Sequence, residues 1–310
     1  MELSIVSTLY NSEKFIPELL AQLIKIVKEI GIDETNYEII LVDDGSPDNS
    51  LEVAINEKKK YPNVNITIIE LSRNFGHHNA FFAGFEIAKG YYTFLIDSDM
   101  DVDVSVLKIF FRKIKEEPSL DVVYGVITKR DNTISDKISK LFWKLFNKFS
   151  NINLPANITT ERIFNQKYRE SLCRLGDYNL FLGGLYHWVG FNMHSVQVIR
   201  KSNRIRSNYN LKKKVNLFIN AITSFSSYPL ILMFNFSLIF ILISGIYLSI
   251  LFVRKIIYPE TIIMGFTSIV SLISFFGSII VFCLSIIGLY IEKIYNQVKN
   301  RPRYIVRNIF

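Results

Sequence analysis

The stretch "YTFLIDSDMDVDVSV", residues 92–106, decides how this chain is read. Residues 92–96 are aromatic, β-branched or aliphatic, as in a buried strand, and the run ends in Asp97, Asp99 and Asp101. Along an extended chain every second side chain points the same way, so the three carboxylates crowd one face. Like charges that close raise one another's pKa or need a cation between them. Two readings follow, an acidic turn in open water or a metal site. A calcium loop is excluded, because Val102 stands where that loop needs Gly and Lys108 where it needs Glu.

Working outward, apolar runs alternate with helical ones. Residues 3–8 read as a strand, and 12–30 as a helix with Ser12 as N-cap and Pro17 in its first turns. Residues 37–42 are a second strand, ending in "DDGSPDNS"; 51–60 are helical; 64–71 are a third strand, followed by "SRNFGHH". Residues 79–89 are helical, 104–116 form a helix and 120–126 a fifth strand. This alternation implies an α/β fold with a mostly parallel, covered sheet. In such sheets ligands bind beyond the carboxyl ends of the strands. "YNSE", "DDGSPD", "SRNFGHH" and "DSDMD" all follow strand ends, so they converge on one rim.

The rest of the 310 residues has another character. Residues 230–253 and 262–291 carry no charge, and each run exceeds the roughly 20 residues that cross a bilayer as a helix. Only "RKIIYPET" separates them, so a transmembrane hairpin is expected. Residues 1–177 hold 22 Lys/Arg against 26 Asp/Glu, net −4, whereas residues 178–310 hold 14 against 2, net +12. The basic residues flank the outer ends of the hairpin, which places both chain ends and the N-terminal domain in the cytoplasm. Their position beside the spans favours anionic lipid over nucleic acid as partner. Residues 134–149 combine an apolar helical stripe with four lysines and Trp143, as in a helix lying in the membrane interface. Neither span contains an ionisable residue that would line a pathway, which excludes a channel subunit. The two cysteines, Cys173 and Cys283, fit neither a disulfide nor a zinc site, and residues 1–15 lack the basic start and apolar core of a signal peptide.

At this point the motifs become specific. "VDDGSPDNS" (42–50), "LSRNFGHHNAFFAGFEIAKG" (71–90), "LIDSDMD" (95–101) and "DVVYGV" (121–126) stand in the order and spacing of family-2 glycosyltransferases, which the chain resembles. "ERIFNQKY" (161–168), "GGLYHWVGF" (183–191), "SFSSYPL" (224–230) and "YIEKIYNQVKNRPRYIV" (290–306) are similar to a narrower group, the membrane-anchored dolichol- or undecaprenyl-phosphate sugar transferases. The resemblance implies a glycosyltransferase-A domain with its nucleotide-sugar core in residues 1–133, completed by 134–228 with interfacial helices. It implies a transmembrane hairpin in 229–292 and a cytoplasmic basic tail in 293–310. A multi-pass protein of a bacterial inner membrane is expected, and a homo-oligomer through the hairpins is one partner the sequence leaves open.

The implied activity moves a sugar, with inversion, from a nucleoside-diphosphate donor to a polyprenyl phosphate. The resemblance assigns donor contacts to Thr8, Tyr10, Asn11, Asp43, Asp44, Arg73 and Asp97, with Thr8 replacing the group's usual Pro. It assigns Mg²⁺ or Mn²⁺ to Asp97 and Asp99, with Asp101 where the group often has Gln. Arg130 and Arg162 stand at phosphate-contacting positions, and Arg200, Arg204 and Arg206 are further candidates for the acceptor phosphate. Asp97, Asp99, Arg130 and Arg162 are therefore the expected catalytic set. A further Arg common in the group is Ile127 here. His77 and His78 follow the third strand, and their residue types fit a cap on the next helix or a solvent-facing position as well as the site. If the acceptor is instead a saccharide hydroxyl, a base is needed, and Asp103, Glu161 or Asp177 are the candidates. A non-enzymatic nucleotide-sugar sensor would not need the acidic triplet.

Overall fold

A computed structural model describes residues 1–127, 157–177, 182–200, 228–257 and 265–310, together with Thr223 and Ser226. Its centre is one eight-stranded sheet. The strands are β1 (Leu3–Leu9), β2 (Tyr37–Asp43), β3 (Asn65–Leu71), β4 (Tyr92–Asp97), β5 (Val122–Ile127), β6 (Ile158–Asn165), β7 (Met193–Val198) and β8 (Val306–Ile309). They lie in the order β7-β5-β6-β4-β1-β2-β3-β8. β1 runs parallel to both β2 and β4, β2 to β3, and β5 to β7. β6 is antiparallel to β4 and β5, and β8 is antiparallel to β3.

β1 and β2 are buried at every residue, as expected for parallel strands covered on both faces. Helices α1 (Ile16–Glu29), α2 (Ser50–Lys59) and α4 (Val106–Glu116) pack with one apolar cluster. Helices α3 (His77–Ile87), α5 (Gln166–Arg174) and α6 (Leu182–Trp188) pack with the other. Two local expectations shift. Ser12 does not cap α1, which begins four residues later; its hydroxyl instead meets the Ser98 hydroxyl at 2.8 Å. α3 starts at His77 rather than at residue 79, because Gly76, with φ of 94°, turns the chain directly into the helix. Gly84 lets α3 approach β1, since a Cβ there would lie 2.3 Å from Val6 Cγ1.

The two long C-terminal helices are α7 (Tyr228–Ile257) and α8 (Phe266–Val298). They meet where Phe240 contacts Phe275 and Phe276, and Tyr290 near the far end of α8 donates to the Ser226 carbonyl just before α7. The two helices therefore run in opposite directions. Among the described residues one segment, Phe275–Val298 of α8, is long and apolar enough to cross a membrane, and none of it is buried. In α7 the described apolar segment is shorter, Tyr228–Phe240. The helix expected over 134–149 and most of the basic stretch 211–225 lie outside the described residues.

The chain beyond α8 turns back onto the sheet. β8 covers the free edge of β3, pairing Ile69 with Ile309 and Glu70 with Asn308, and Phe310 exchanges two backbone bonds with Ile68. An edge strand offers unpaired amides and carbonyls, and β8 satisfies them. Gly84→Ala is expected to lower stability by about 1–2 kcal/mol, the overpacking cost less the gain in helix propensity. Thermal unfolding checks this, and Val6→Ala in the same chain should recover part of the loss; an unchanged melting temperature in Gly84→Ala would refute the close approach.

Candidate active site

The parallel register brings the carboxyl ends of four strands to one rim. Leu9 of β1 lies beside Asp43 of β2, Asp43 beside Glu70 of β3, and Thr8 beside Asp97 of β4. Hydrogen bonds then knit the loops together. The Asn11 amide donates to Ser46 Oγ and the Ser12 amide to Ser50 Oγ, tying the first loop to the second. Asp48 anchors that second loop, its Oδ1 accepting from the hydroxyls of Ser46 and Ser50 at 2.6 Å each. Asp44 accepts from the amides of Phe75 at 2.7 Å and Gly76 at 3.0 Å, one per oxygen, and so holds the third loop. Gly45, with φ of 61°, packs on that loop so closely that a Cβ would lie 2.5 Å from the Arg73 carbonyl carbon.

His77 closes the fourth side. Its Nδ1 lies 2.9 Å from Thr8 Oγ1 and its Nε2 3.2 Å from Asp97 Oδ1. The first contact is a hydrogen bond, and the second lies at ion-pair distance. The acidic stretch turns at Met100, whose φ is 50°, and Asp99 Oδ1 accepts from the Asp101 amide. Asp97 and Asp99 are half-buried oxygen donors on this turn. Asp101 is paired with Arg200, so that guanidinium is bound to the acidic turn. Among the described residues no three His, Cys, Asp or Glu side chains group closely enough to hold a metal by themselves. Magnesium is commonly held by one or two carboxylates with substrate phosphate oxygens completing its shell, and the Asp97–Asp99 pair fits that pattern.

Burial raises the pKa of Asp44, and it raises two other carboxyls of the rim further. Asp43 is 3% exposed and is pushed up to about 6, first by burial and then by the charges of Glu70, Asp48 and Asp44, against a bond from the Ser46 amide. Its Oδ1 is buried without a hydrogen-bond partner. Glu161, on β6 and 2% exposed, is pushed up to about 7 by burial and then by the Asp97 charge, and its Oε2 is also unpartnered. Buried polar atoms are almost always hydrogen-bonded, so each orphan has room in its bonding for a water, an ion or a ligand.

Arg162 follows Glu161 and is 4% exposed. Its guanidinium donates to the carbonyls of Thr159 and Thr160 and stacks on the Tyr186 ring, 3.5 Å from the centroid. Tyr186 is driven up to about 12 by burial, although Arg162 opposes the shift and Asp97 adds to it. Among the described residues no carboxylate lies within ion-pair distance of Arg162. A buried charge is costly unless paired, so an anion reaching this arginine would be strongly held.

Other expected residues are placed more loosely. Tyr10 and Asn11 are exposed at the end of β1. Arg73 is exposed and lies over the Phe75 ring. Asp177 is exposed, and Asp103 accepts from the Ser105 amide. Arg130, Arg204 and Arg206 lie outside the described residues. The motifs gave no role to Ser46, Ser50 or Tyr186. The two serines carry a usable signal, since they flank Asp48 in a turn-forming run. Tyr186 carries none, because only the fold brings α6 over β6.

The family model for "Glycosyl transferase family 2" matches residues 4–173. The uncharacterized glycosyltransferase YkcC of Bacillus subtilis (strain 168) is 34% identical over 318 residues, spanning 100% of this chain and 94% of that protein. The SfII prophage-derived bactoprenol glucosyl transferase of Shigella flexneri is 28% identical over 314 residues, with 99% and 98% covered. The crystal structure of mannosyl-3-phosphoglycerate synthase from Rubrobacter xylanophilus aligns with a TM-score of 0.51 at 16% identity, covering 72% of each chain, a likeness of fold alone. The chain belongs to glycosyl transferase family 2, and its sheet is that of a glycosyltransferase-A enzyme.

Burial favours the neutral form of Asp43 in the folded chain. Its contribution to stability therefore falls as pH rises from about 4, the unfolded value, to about 6, and is constant above that. Asp43→Asn should raise stability at pH 8 by about 2 kcal/mol and leave it unchanged near pH 4. The same substitution should weaken binding of nucleoside diphosphates. Thermal melts across pH check the first half and calorimetry the second; a melting temperature lowered at pH 8 would contradict the assignment.

Proposed function

We propose that this enzyme transfers one sugar from a nucleoside-diphosphate donor to a polyprenyl phosphate, with inversion, at the cytoplasmic face of a bacterial inner membrane. The observation that carries the acceptor assignment is Arg162, a buried guanidinium stacked on Tyr186 with no carboxylate partner among the described residues. A phosphate monoester of a lipid is already ionised at neutral pH, so it attacks the anomeric carbon without a strong base. What it requires is cations that hold it in line, and arginine does this with paired hydrogen bonds. Relatives named as bactoprenol glucosyl transferases, matched along nearly the whole chain, support the same acceptor class.

On the donor side, the unpartnered Asp43 Oδ1 accepts a hydrogen bond from the nucleobase or ribose, while Asp44 keeps the third loop in place beneath it. Asp97 and Asp99 would hold Mg²⁺ or Mn²⁺, whose charge offsets that on the departing diphosphate. His77 keeps Asp97 oriented from the β1 side. The helices α7 and α8 form the membrane anchor in this reading, and the remaining basic residues face lipid head groups. Confinement beside the bilayer raises the effective concentration of an acceptor whose head group never leaves it.

Glu161 favours a second reading. A buried carboxyl pushed up to about 7 beside Asp97 has the character of a general base, which a saccharide hydroxyl acceptor would need. The two readings separate in one assay. Purified full-length protein, given undecaprenyl phosphate and a panel of radiolabelled nucleotide sugars with Mg²⁺ or Mn²⁺, should form a single-sugar lipid. Transfer only to a lipid-linked saccharide would reverse the choice. Arg162→Met should cut transfer to the lipid phosphate about 100-fold, as loss of a charged hydrogen-bonding partner does. Under the first reading Glu161→Gln should cost far less than Arg162→Met.

A further inference from the structure

The strand that follows the membrane helix reaches the donor site. In the sheet, Asp43, Glu70 and Asn308 lie side by side on β2, β3 and β8. The register of β8 slips between Glu70 and Leu71, since Glu70 faces Asn308 while Leu71 faces Val306. Arg307 is the extra residue of this bulge. A bulge re-aims a side chain that the pleat would otherwise send to the opposite face. Arg307 accordingly donates from Nη1 to Glu70 Oε1 at 2.8 Å and from Nη2 to the Ser72 carbonyl at 2.7 Å. Asn308 Nδ2 donates to Glu70 Oε2 at 2.7 Å. The Ser72 amide, in turn, donates to the Ile305 carbonyl.

Glu70 is 8% exposed, and both of its oxygens are satisfied by this C-terminal strand. It is the direct lateral neighbour of Asp43, and its charge is one of the causes that push Asp43 upward. Ser72, gripped from both sides by residues 305 and 307, opens the loop whose Phe75 and Gly76 amides are held by Asp44. Two further contacts fix the strap on α3: Tyr304 donates to Glu86 at 2.5 Å, and the Arg303 guanidinium lies over Phe82.

We propose that the C-terminal strand is a working part of the donor site, with Arg307 as a positioning residue that neutralises Glu70 so that Asp43 can receive the nucleotide. The proposal rests on the reading of Asp43 as a nucleotide contact. Without Arg307, the Glu70 carboxylate faces Asp43 with no cation beside it, and a like charge at close range disfavours the ionised form of Asp43. A less ionised Asp43 is a weaker acceptor. The guanidinium at Ser72 is also lost, and loosening of the loop gives the same direction of effect. A partner substitution separates the two.

The experiment uses full-length protein in detergent micelles and measures UDP and GDP binding by calorimetry with Mg²⁺ present. Arg307→Ala should weaken binding of whichever nucleotide the wild type takes by about tenfold, a shift of about 1.4 kcal/mol. Arg307→Lys should lose less. Glu70→Gln combined with Arg307→Ala should bring affinity back to within about twofold of wild type, because the charge that needed neutralising is gone. A purely structural strap would not be rescued this way. Wild-type affinity in Arg307→Ala, or no recovery in the double variant, overturns the proposal. The double variant decides even if Arg307→Ala alone folds poorly, since an unpaired Glu70 is the source of that defect. Wild type that binds nucleotide but transfers nothing to undecaprenyl phosphate defeats the acceptor reading and leaves this one standing. Wild type that binds neither nucleotide defeats this one.

Discussion

The alignment of β1 between two parallel neighbours is the constraint from which the site follows. β1 is buried at every residue, and it hydrogen-bonds β2 on one side and β4 on the other. Parallel strands in register must end on the same side of a sheet. Leu9 therefore stands beside Asp43, and Thr8 beside Asp97, whatever the loops do next. The loops then need only short polar bonds to lock, and they use serine hydroxyls, Asp44 and His77 for this. A slip of one residue in β1 would exchange its two faces and separate these partners. The apolar core thus fixes the placement of the carboxylates, and the polar network sharpens it.

That placement carries a cost which the chain accepts at three points. Asp43 and Glu161 are nearly inaccessible to water with one oxygen each unpartnered, and Arg162 is as deeply buried with no carboxylate at ion-pair distance among the described residues. Unpaired buried charge is among the strongest destabilising features a fold can hold. Asp48 and Asp44, a few residues away, are satisfied by hydroxyls and backbone amides, so the fold is able to supply partners where they serve structure. The contrast within one loop is between Asp43, with an open buried oxygen, and Asp44, whose two oxygens hold the third loop. Such destabilisation is tolerable where binding supplies the missing partner.

Much of this was legible in the sequence. The alternation of apolar runs with helical ones gave the parallel sheet, and the polar clusters after each strand gave the rim. The acidic turn after β4 was legible because carboxylates at alternate positions after an apolar strand need either open water or a cation. Other features were hidden for physical reasons. Asp43 and Asp44 are adjacent and chemically identical, so only the path of the backbone tells which one faces the third loop. The stacking of Arg162 on Tyr186 joins residues 24 positions apart through the packing of α6 on β6, and no periodicity encodes it. The C-terminal run "RPRYIVRNIF" reads as a basic tail, because four residues are too few for alternation to declare a strand. Its partner strand β3 was clear, but nothing in β3 states that its outer edge is covered.

If α8 anchors the chain as proposed, the return of the chain after it changes what such an anchor can do. A helix tethered at one end confines a domain to a hemisphere set by the linker, and leaves its orientation free. The segment after α8 is short, from Lys299 to Ile305, and it ends in a strand bonded to the sheet. On the way, Gln297 bonds the Gly176 carbonyl after α5, Tyr304 bonds Glu86, and Arg303 lies over Phe82. The polar end of α8 is thereby joined to α5, to α3 and to the edge of β3. Several attachments on different elements restrict rotation as well as distance. A lipid phosphate lies at a fixed depth, so an enzyme that takes its acceptor there gains more from a fixed orientation than from proximity alone. The same attachments reach Glu70 and the loop after β3, so the geometry of the rim beside Asp43 depends on the path of α8.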